Sequence, residues 1–459
     1  ESGNARLAGL KGEKAKRLLG LGKYCACAIR TQHNLQRYWK AFAERAPESD
    51  IQGILEEEAA NVRSLMPFVE ADSQLGWEPS MRYVTDPACL RWKLEQLKTA
   101  PVRDDAALLQ ALLDERKGRV EFPEGTFVVD RPLRIGPDKH LVCSPRTFIR
   151  LKDGANCPIL VNYGAEPGEE PWNITVEGGV WDGNNVGQKR GPFRFPNTPG
   201  GGDINQLTVF AGITNLTLRG MTLKDPDCYC IELTDIVGFT VEDIVFDCND
   251  KTPNQDGLHI DGYARDGYIR NIRGHTNDDL VALNSDEGNW RSPSNDIVNV
   301  TIDGLYAGDD GYTAVRLLSR NAHIRNVVIR NVYGKYKYNG VSFTHWAFED
   351  HKPGMGHFDN IVIENMFVSC CTKRPGFDWC GTLLFQGGVE SVGRVTVRNL
   401  RRVDDPDCRN DIPTVNIGKG VKIDTLIFDN VKQQLPDGKP LVVRSPEAEI
   451  RNFIVRDGE

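Results

Sequence analysis

The chain has 459 residues, 40% of them hydrophobic, with 56 basic and 64 acidic side chains and a net charge of −8 at pH 7. It reads as a folded soluble chain. No basic tract invites nucleic acid, and no apolar run approaches the roughly 20 residues of a membrane-spanning helix. The length suits two or three ordinary domains, but a solenoid escapes that count because it grows by adding coils.

The chain opens with Glu1, and its Lys/Arg-rich start has neither the apolar stretch nor the small-residue cleavage site of a signal peptide. Glu1 is expected to be a cut or processed end, with room for a leader or an upstream domain before it. Residues 1–98 read as an all-α segment. Ser49-Asp50 offers a cap for a helix whose apolar stripe runs Ile51, Ile54, Leu55, Val62, Leu65, Met66. Asp86-Pro87 places an N-cap before a proline at the first helical position, and Leu90, Leu94 and Leu97 then share a face. Gly9, Gly12, Gly20 and Gly22 blur the bounds of the first helix. This segment carries no catalytic constellation and is expected to serve packing or self-association into a homo-oligomer. Thr99-Ala100-Pro101-Val102 is the expected linker, at 99–102.

From 103 to 459 the character changes. Asp104-Asp105-Ala106 with Leu108, Leu109 and Leu112 predicts one short helix, and Phe122–Val129 a turn and strand. Short β-branched strands then recur between Asn, Asp and Gly turns: Ile174-Thr175-Val176, Leu216-Thr217-Leu218, Phe239-Thr240-Val241, Val298–Ile302, Val327-Val328-Ile329, Ile361-Val362-Ile363, Val395-Thr396-Val397 and Leu426-Ile427-Phe428. A period of some 20–30 residues marks a repeat architecture. The expected fold is an all-β right-handed parallel β-helix, its open end plugged by the short helix, since a bare terminal coil exposes core and strand edges.

One strand can be registered coil by coil. Its inward pairs are Ile231/Leu233, Leu258/Ile260, Val281/Leu283, Val315/Leu317, Val341/Phe343 and Leu383/Phe385. Alternation turns Glu232, His259, Ala282, Arg316, Ser342 and Leu384 outward. A second column just ahead of the strand holds Tyr229, Asp256, Asp279, Thr313 and Asn339. Asp256 and Asp279 thus fall at equivalent places on neighbouring coils, which stack at roughly 4.8 Å, and Asp278 shares their corner. Three carboxylates at one spot repel one another and raise at least one pKa. Catalysis, a Ca²⁺ site and corner-capping turn chemistry all remain open from the residues alone.

Asn254-Gln255-Asp256-Gly257, followed one coil later by Asn277-Asp278-Asp279, resembles the polygalacturonase-type, pectin-degrading glycoside hydrolases, whose pattern is Asn-x-Asp-Gly and then Gly-Asp-Asp. Leu258–Gly262, Leu280–Leu283 and Trp181-Asp182-Gly183-Asn184 are similar to the same family, and the likeness covers roughly 103–459. The helical segment, through Leu75–Met81, resembles the C-terminal helices of bacterial glycosidase-like proteins. The first resemblance implies a glycosidase acting on a poly- or oligosaccharide with inversion. Asp278 would be the general acid, and Asp256 with Asp279 would activate water. An inverting pair wants roughly 6.5–9.5 Å between carboxyls.

The chain departs from the family at its basic residues. Thr313 stands where the family has His, Ser342 and Thr344 where it has Arg and Lys, and Asn277 replaces Gly. A uronate substrate therefore loses its usual carboxylate partners, and a neutral or differently charged sugar is equally expected. Asn254, His259, Arg316, Trp290, Tyr312, His345 and Trp346 are the candidate substrate-binding residues. Tyr338 is a further candidate for stacking on a sugar, and loops 285–296 and 348–358 are expected to flank the site. Asp309-Asp310 reads as a turn. No cofactor is expected, except Ca²⁺ if the same scaffold serves a polysaccharide lyase or epimerase; a non-catalytic glycan-binding solenoid is the third reading. A polysaccharide substrate favours a secreted or periplasmic setting. The lack of a signal peptide and of a disulfide framework leaves the cytoplasm open. The 12 cysteines include the close pairs Cys25/Cys27, Cys228/Cys230 and Cys370/Cys371, show no metal-site spacing and are expected to be buried thiols.

Overall fold

The computed structural model describes residues 12–456 apart from 44–45, 73, 76, 79–82, 101–103, 116–117, 163–171, 190–205, 287–293, 346–354, 373–375, 407, 409 and 436–438. The chain divides into two units, Glu1–Asp104 and Asp105–Glu459.

The first unit holds α1 (Glu13–Ala43), α2 (Glu48–Ala71) and α3 (Pro87–Thr99). The stripe expected on α2 is the buried one: Ile51, Ile54 and Leu55 pack with Tyr38, and Val62 and Leu65 with Cys27 and Leu90. Its N-cap, however, is Pro47, which makes no side-chain cap, so Ser49 and Asp50 lie inside the helix. On α3 the expectation holds, because Asp86 accepts from the Cys89 amide at 2.6 Å and Pro87 needs no partner for its nitrogen. Gly20 does not break α1; a Cβ there would stand 3.2 Å from Leu75, so the glycine lets the chain pack closely. Buried Glu58 knots the three helices together by accepting from Thr31, Asn34 and Lys93. Around the stretch that carries the helical resemblance, only a two-residue antiparallel pairing of Trp77–Glu78 with Tyr83–Val84 is described.

The second unit opens with α4 (Asp105–Glu115). Its buried face is Ala106, Leu109 and Leu113, whereas Leu108 is exposed: the plug meets the coil one residue out of the expected phase. Asp105 turns inward and accepts the Val128 amide at 2.6 Å. Beyond it, 25 strands among the described residues pair in parallel in one continuous sheet, the signature of a parallel β-helix. The strands read from sequence form one column. Ile174, Leu216, Phe239, Gly267, Val300, Val327, Ile361, Val395 and Leu426 stack in register. Gly267 is the one gap, and the Phe239 ring fills it; a Cβ at Gly267 would stand 2.1 Å from that ring.

Asparagines turn the corners. Asn299, Asn326 and Asn360 each adopt a left-handed backbone with φ between 50° and 60°. Each passes a side-chain hydrogen bond to the coil before it, at 2.9–3.0 Å. Asn and Asp tolerate this conformation better than other L-residues. Cys27, Cys143, Cys228, Cys230, Cys248, Cys370 and Cys380 are buried thiols without disulfides, whereas Cys25 and Cys89 are exposed, against the expectation of burial.

Six strands position the site: β1 (Ile231–Thr234), β2 (Leu258–Asp261), β3 (Asp279–Asn284), β4 (Gly311–Leu318), β5 (His323–Thr344) and β6 (Leu383–Phe385). Their pairing follows the expected column, Glu232–His259–Ala282–Arg316–Ser342–Leu384. The column faces away from the solenoid core, yet all but Arg316 are buried from solvent. This face of the coil is built over, which matters for His259.

Candidate active site

Two corners bring the acids together. Before β2, Asn254 takes a left-handed backbone and buried Gln255 donates to the Pro226 carbonyl at 2.9 Å. At Gly257 a Cβ would stand 2.5 Å from the Phe246 ring and 2.6 Å from the Leu280 carbonyl, so only glycine lets the next coil close over it. One coil on, Thr276 donates to the Asp278 carbonyl and Asn277 to the Thr252 carbonyl. Asn277 thus ties its corner to the preceding turn, which accounts for a side chain where the resembling family has glycine.

Asp256, Asp278 and Asp279 each bring a carboxylate oxygen within 4.8 Å of the others. Asp256 and Asp279 are 3% exposed, while Asp278 reaches the surface. Burial, and then the charges of Asp279 and Asp256, push the Asp278 carboxyl well above the usual carboxylate range. Burial and the neighbouring Asp256 raise Asp279 to about 7 against the opposing pull of Arg316. Asp279 Oδ2 has no hydrogen-bond partner among the described residues and faces Arg316 Nη1 at 3.8 Å. Arg316 also donates from Nε to Thr344 at 3.3 Å.

Asp278, Asp279, Arg316, Tyr312 and His345 line one open cavity of about 170 Å³. Thr313, Ser342 and Thr344 supply neutral polar groups to its wall. Its aromatic side runs from Tyr312 to Tyr338 (4.3 Å between ring centres), Phe377 (4.4 Å) and Trp379 (6.1 Å). Tyr338 is only 1% exposed, so it braces that wall and is not available to stack on a sugar; Trp379, 48% exposed, is. His345 donates from Nε2 to the Gly387 carbonyl at 2.7 Å, beside Gln386 on the cavity rim.

The remaining candidates separate. His259 is 2% exposed, with Nδ1 at 2.6 Å from Asp256 and Nε2 at 2.9 Å from Asp261, and its ring stacks on Tyr229 at 3.8 Å. It stands behind the acids and not in the cavity, a correction to its reading as a sugar contact: the stacked tyrosine and two carboxylates occupy its face and both nitrogens. Asn254 is a turn residue outside the cavity lining. Trp290 and Trp346, with most of both flanking loops, lie outside the described residues. Asp309 and Asp310 are exposed and pair with Lys335 (3.4 Å) and Lys337 (3.0 Å). Phe377, Trp379 and Gln386 were not anticipated. The one available signal was the aromatic pair in Gly376-Phe377-Asp378-Trp379, inserted between two strands.

Residues 169–341 match the family model described as glycosyl hydrolases family 28. A search of curated protein sequences returned no match. Among solved structures, the chain is similar to a tailspike protein mutant of E. coli bacteriophage HK620 in complex with pentasaccharide. Identity is 14%, with 76% of this chain and 61% of that chain covered and a TM-score of 0.52. The Yersinia enterocolitica family 28 exopolygalacturonase aligns at 13% identity over 77% of this chain and 75% of that one, TM-score 0.48. The polygalacturonase of Erwinia carotovora ssp. carotovora aligns at 14% identity over 76% and 94%, TM-score 0.45. The segment that carries all three aspartates is thus similar to the glycosyl hydrolases of family 28, set in a parallel β-helix.

Proposed function

We propose that the protein is a glycoside hydrolase that cleaves a poly- or oligosaccharide over Asp256, Asp278 and Asp279. The observation that carries this reading is the gathering of three carboxylates from consecutive coils within 4.8 Å, of which Asp278 and Asp279 line a cavity with an aromatic wall and Asp256 stands just behind them. In this reading Asp278, the acid that reaches the surface and is held protonated, donates to the leaving glycosidic oxygen. Asp256 and Asp279 take the proton from the attacking water, which leaves the sugar hydroxylated and the leaving chain protonated.

The nearest carboxylate oxygens are closer than the roughly 6.5–9.5 Å of an inverting pair. Inversion therefore rests on whether water enters between the two outer carboxyl groups, and NMR of the first-formed anomer reports it directly. A neutral sugar suits the site better than a uronate. Arg316 is the only Lys or Arg among the described residues lining the cavity, and Asp279 and Thr344 already engage it.

The test is release of reducing ends from a panel of neutral and acidic plant, algal and bacterial polysaccharides, with Asp278→Asn as control. Turnover lost in the variant at unchanged folding supports the assignment; equal rates in the two proteins refute it. A lyase or epimerase reading would draw on the oxygen-rich cluster, in which Asp279 Oδ2 accepts no hydrogen bond among the described residues, a donor set that suits Ca²⁺. EDTA-sensitive formation of an ultraviolet-absorbing unsaturated product would select the lyase. Metal-independent reducing ends select the hydrolase.

A further inference from the structure

We propose that His259 is a doubly protonated positioning residue that clamps the water-activating Asp256 against Asp261. Two carboxylates in contact with one buried ring point there. An ionised carboxylate only accepts, and a neutral imidazole carries one N–H. Yet both ring nitrogens of His259 meet carboxylate oxygens, Asp256 at 2.6 Å and Asp261 at 2.9 Å. A singly protonated ring would aim a lone pair at one of the two anions. An imidazolium gives both anions a positive partner, Asp256 through a hydrogen bond and Asp261 through a buried ion pair.

The surroundings favour that charge. Glu232 on β1 lies in register with His259, Asp278 and Asp279 sit on the next coil, and all are acids. Arg316, the cation on this face, lies one coil further on and is drawn to Asp279. The Tyr229 ring lies parallel to the imidazole, 8° between planes, and offers its π-face to a cation. The Asn284 amide nitrogen lies 3.3 Å from Nε2 and can only donate, so a protonated Nε2 requires this amide to turn its oxygen to the ring. Asp261 is 0% exposed, so this anchor is shielded from water, and the short contacts gain strength accordingly. The consequence is positional: one Asp256 oxygen is fixed by the ring, which orients the carboxylate. The inference rests on the hydrolase reading only for the role given to Asp256.

The decisive measurement is long-range ¹H–¹⁵N NMR of the labelled full chain at pH 7, with His259 assigned by the signals missing in His259→Gln. Both ring nitrogens in the protonated range are expected; one unprotonated nitrogen overturns the proposal. Kinetics give the second arm. His259→Ala should lower kcat at least 100-fold with KM within two-fold, and His259→Asn, which keeps a donor towards Asp256, should recover part of it. Asp261→Asn should lower kcat about tenfold and shift the acidic limb of its pH profile. A fall confined to KM, or equal kcat in all variants, overturns the positioning role. If the wild type turns over no glycan, the hydrolase reading fails while the NMR result still decides the state of the ring.

Discussion

Replacing Asp279 with asparagine should make the protein inactive and more stable. The carboxyl is 3% exposed, and burial with Asp256 beside it raises it from the ordinary 3.8 to about 7. Between those values the folded protein binds more protons than the unfolded chain, so stability falls as pH rises through that window. Below pH 4 both states are protonated and there is no cost; above pH 7 the cost is complete. At 1.36 kcal/mol per tenfold change in proton affinity, the full cost is about 4 kcal/mol. Three carboxylates share the repulsion, so removing one returns about 2–4 kcal/mol at pH 8. The amide keeps the shape, can accept from Thr313 as the carboxylate does, and turns Oδ2, which has no hydrogen-bond partner, into a donor towards the other two acids. Arg316 loses its partner but stays partly hydrated, at 31% side-chain exposure. Urea denaturation of both proteins at pH 4 and pH 8, followed by tryptophan fluorescence, checks this. The variant should gain at pH 8 and match the wild type near pH 4. A variant less stable at pH 8, or a gap independent of pH, would refute the electrostatic account.

Three further outcomes follow from the same geometry. Arg316→Gln removes the cation that opposes the upward push on Asp279, so the acidic limb of the kcat profile should move to higher pH; an unmoved limb contradicts the 3.8 Å interaction. Trp379→Ala takes away the exposed end of the aromatic wall and should raise KM about 5–10-fold, the equivalent of about 1–1.5 kcal/mol, with kcat nearly kept; isothermal titration with an oligosaccharide product measures the same loss. Asn326→Ala breaks two bonds of the corner ladder and leaves alanine at φ 57°, which should cost about 2 kcal/mol in thermal or urea unfolding without changing activity.

The β-helix and the meeting of the three acids were both legible before any coordinates. Both are consequences of a repeat: once strands of Ile174, Leu216 and Val300 type recur between Asn turns, stacking them in register leaves no freedom over which residues share a column. That is why Asp256 and Asp279 could be placed on adjacent coils without coordinates. The Asn turns between the strands were legible for the same local reason, whereas the need for glycine at 257 comes from the Phe246 ring and the Leu280 carbonyl. Tertiary structure decided what lies over those columns. Alternation says that His259 points away from the core, but not that Tyr229 covers its face and Asp256 and Asp261 take both its nitrogens. Nor does it say that Tyr338 is walled in by Phe377 while Trp379 reaches the cavity. Those facts depend on how segments distant in the chain fold back over the coil. Periodicity carries no information about such contacts, because burial depends on three-dimensional packing and the repeat fixes only direction.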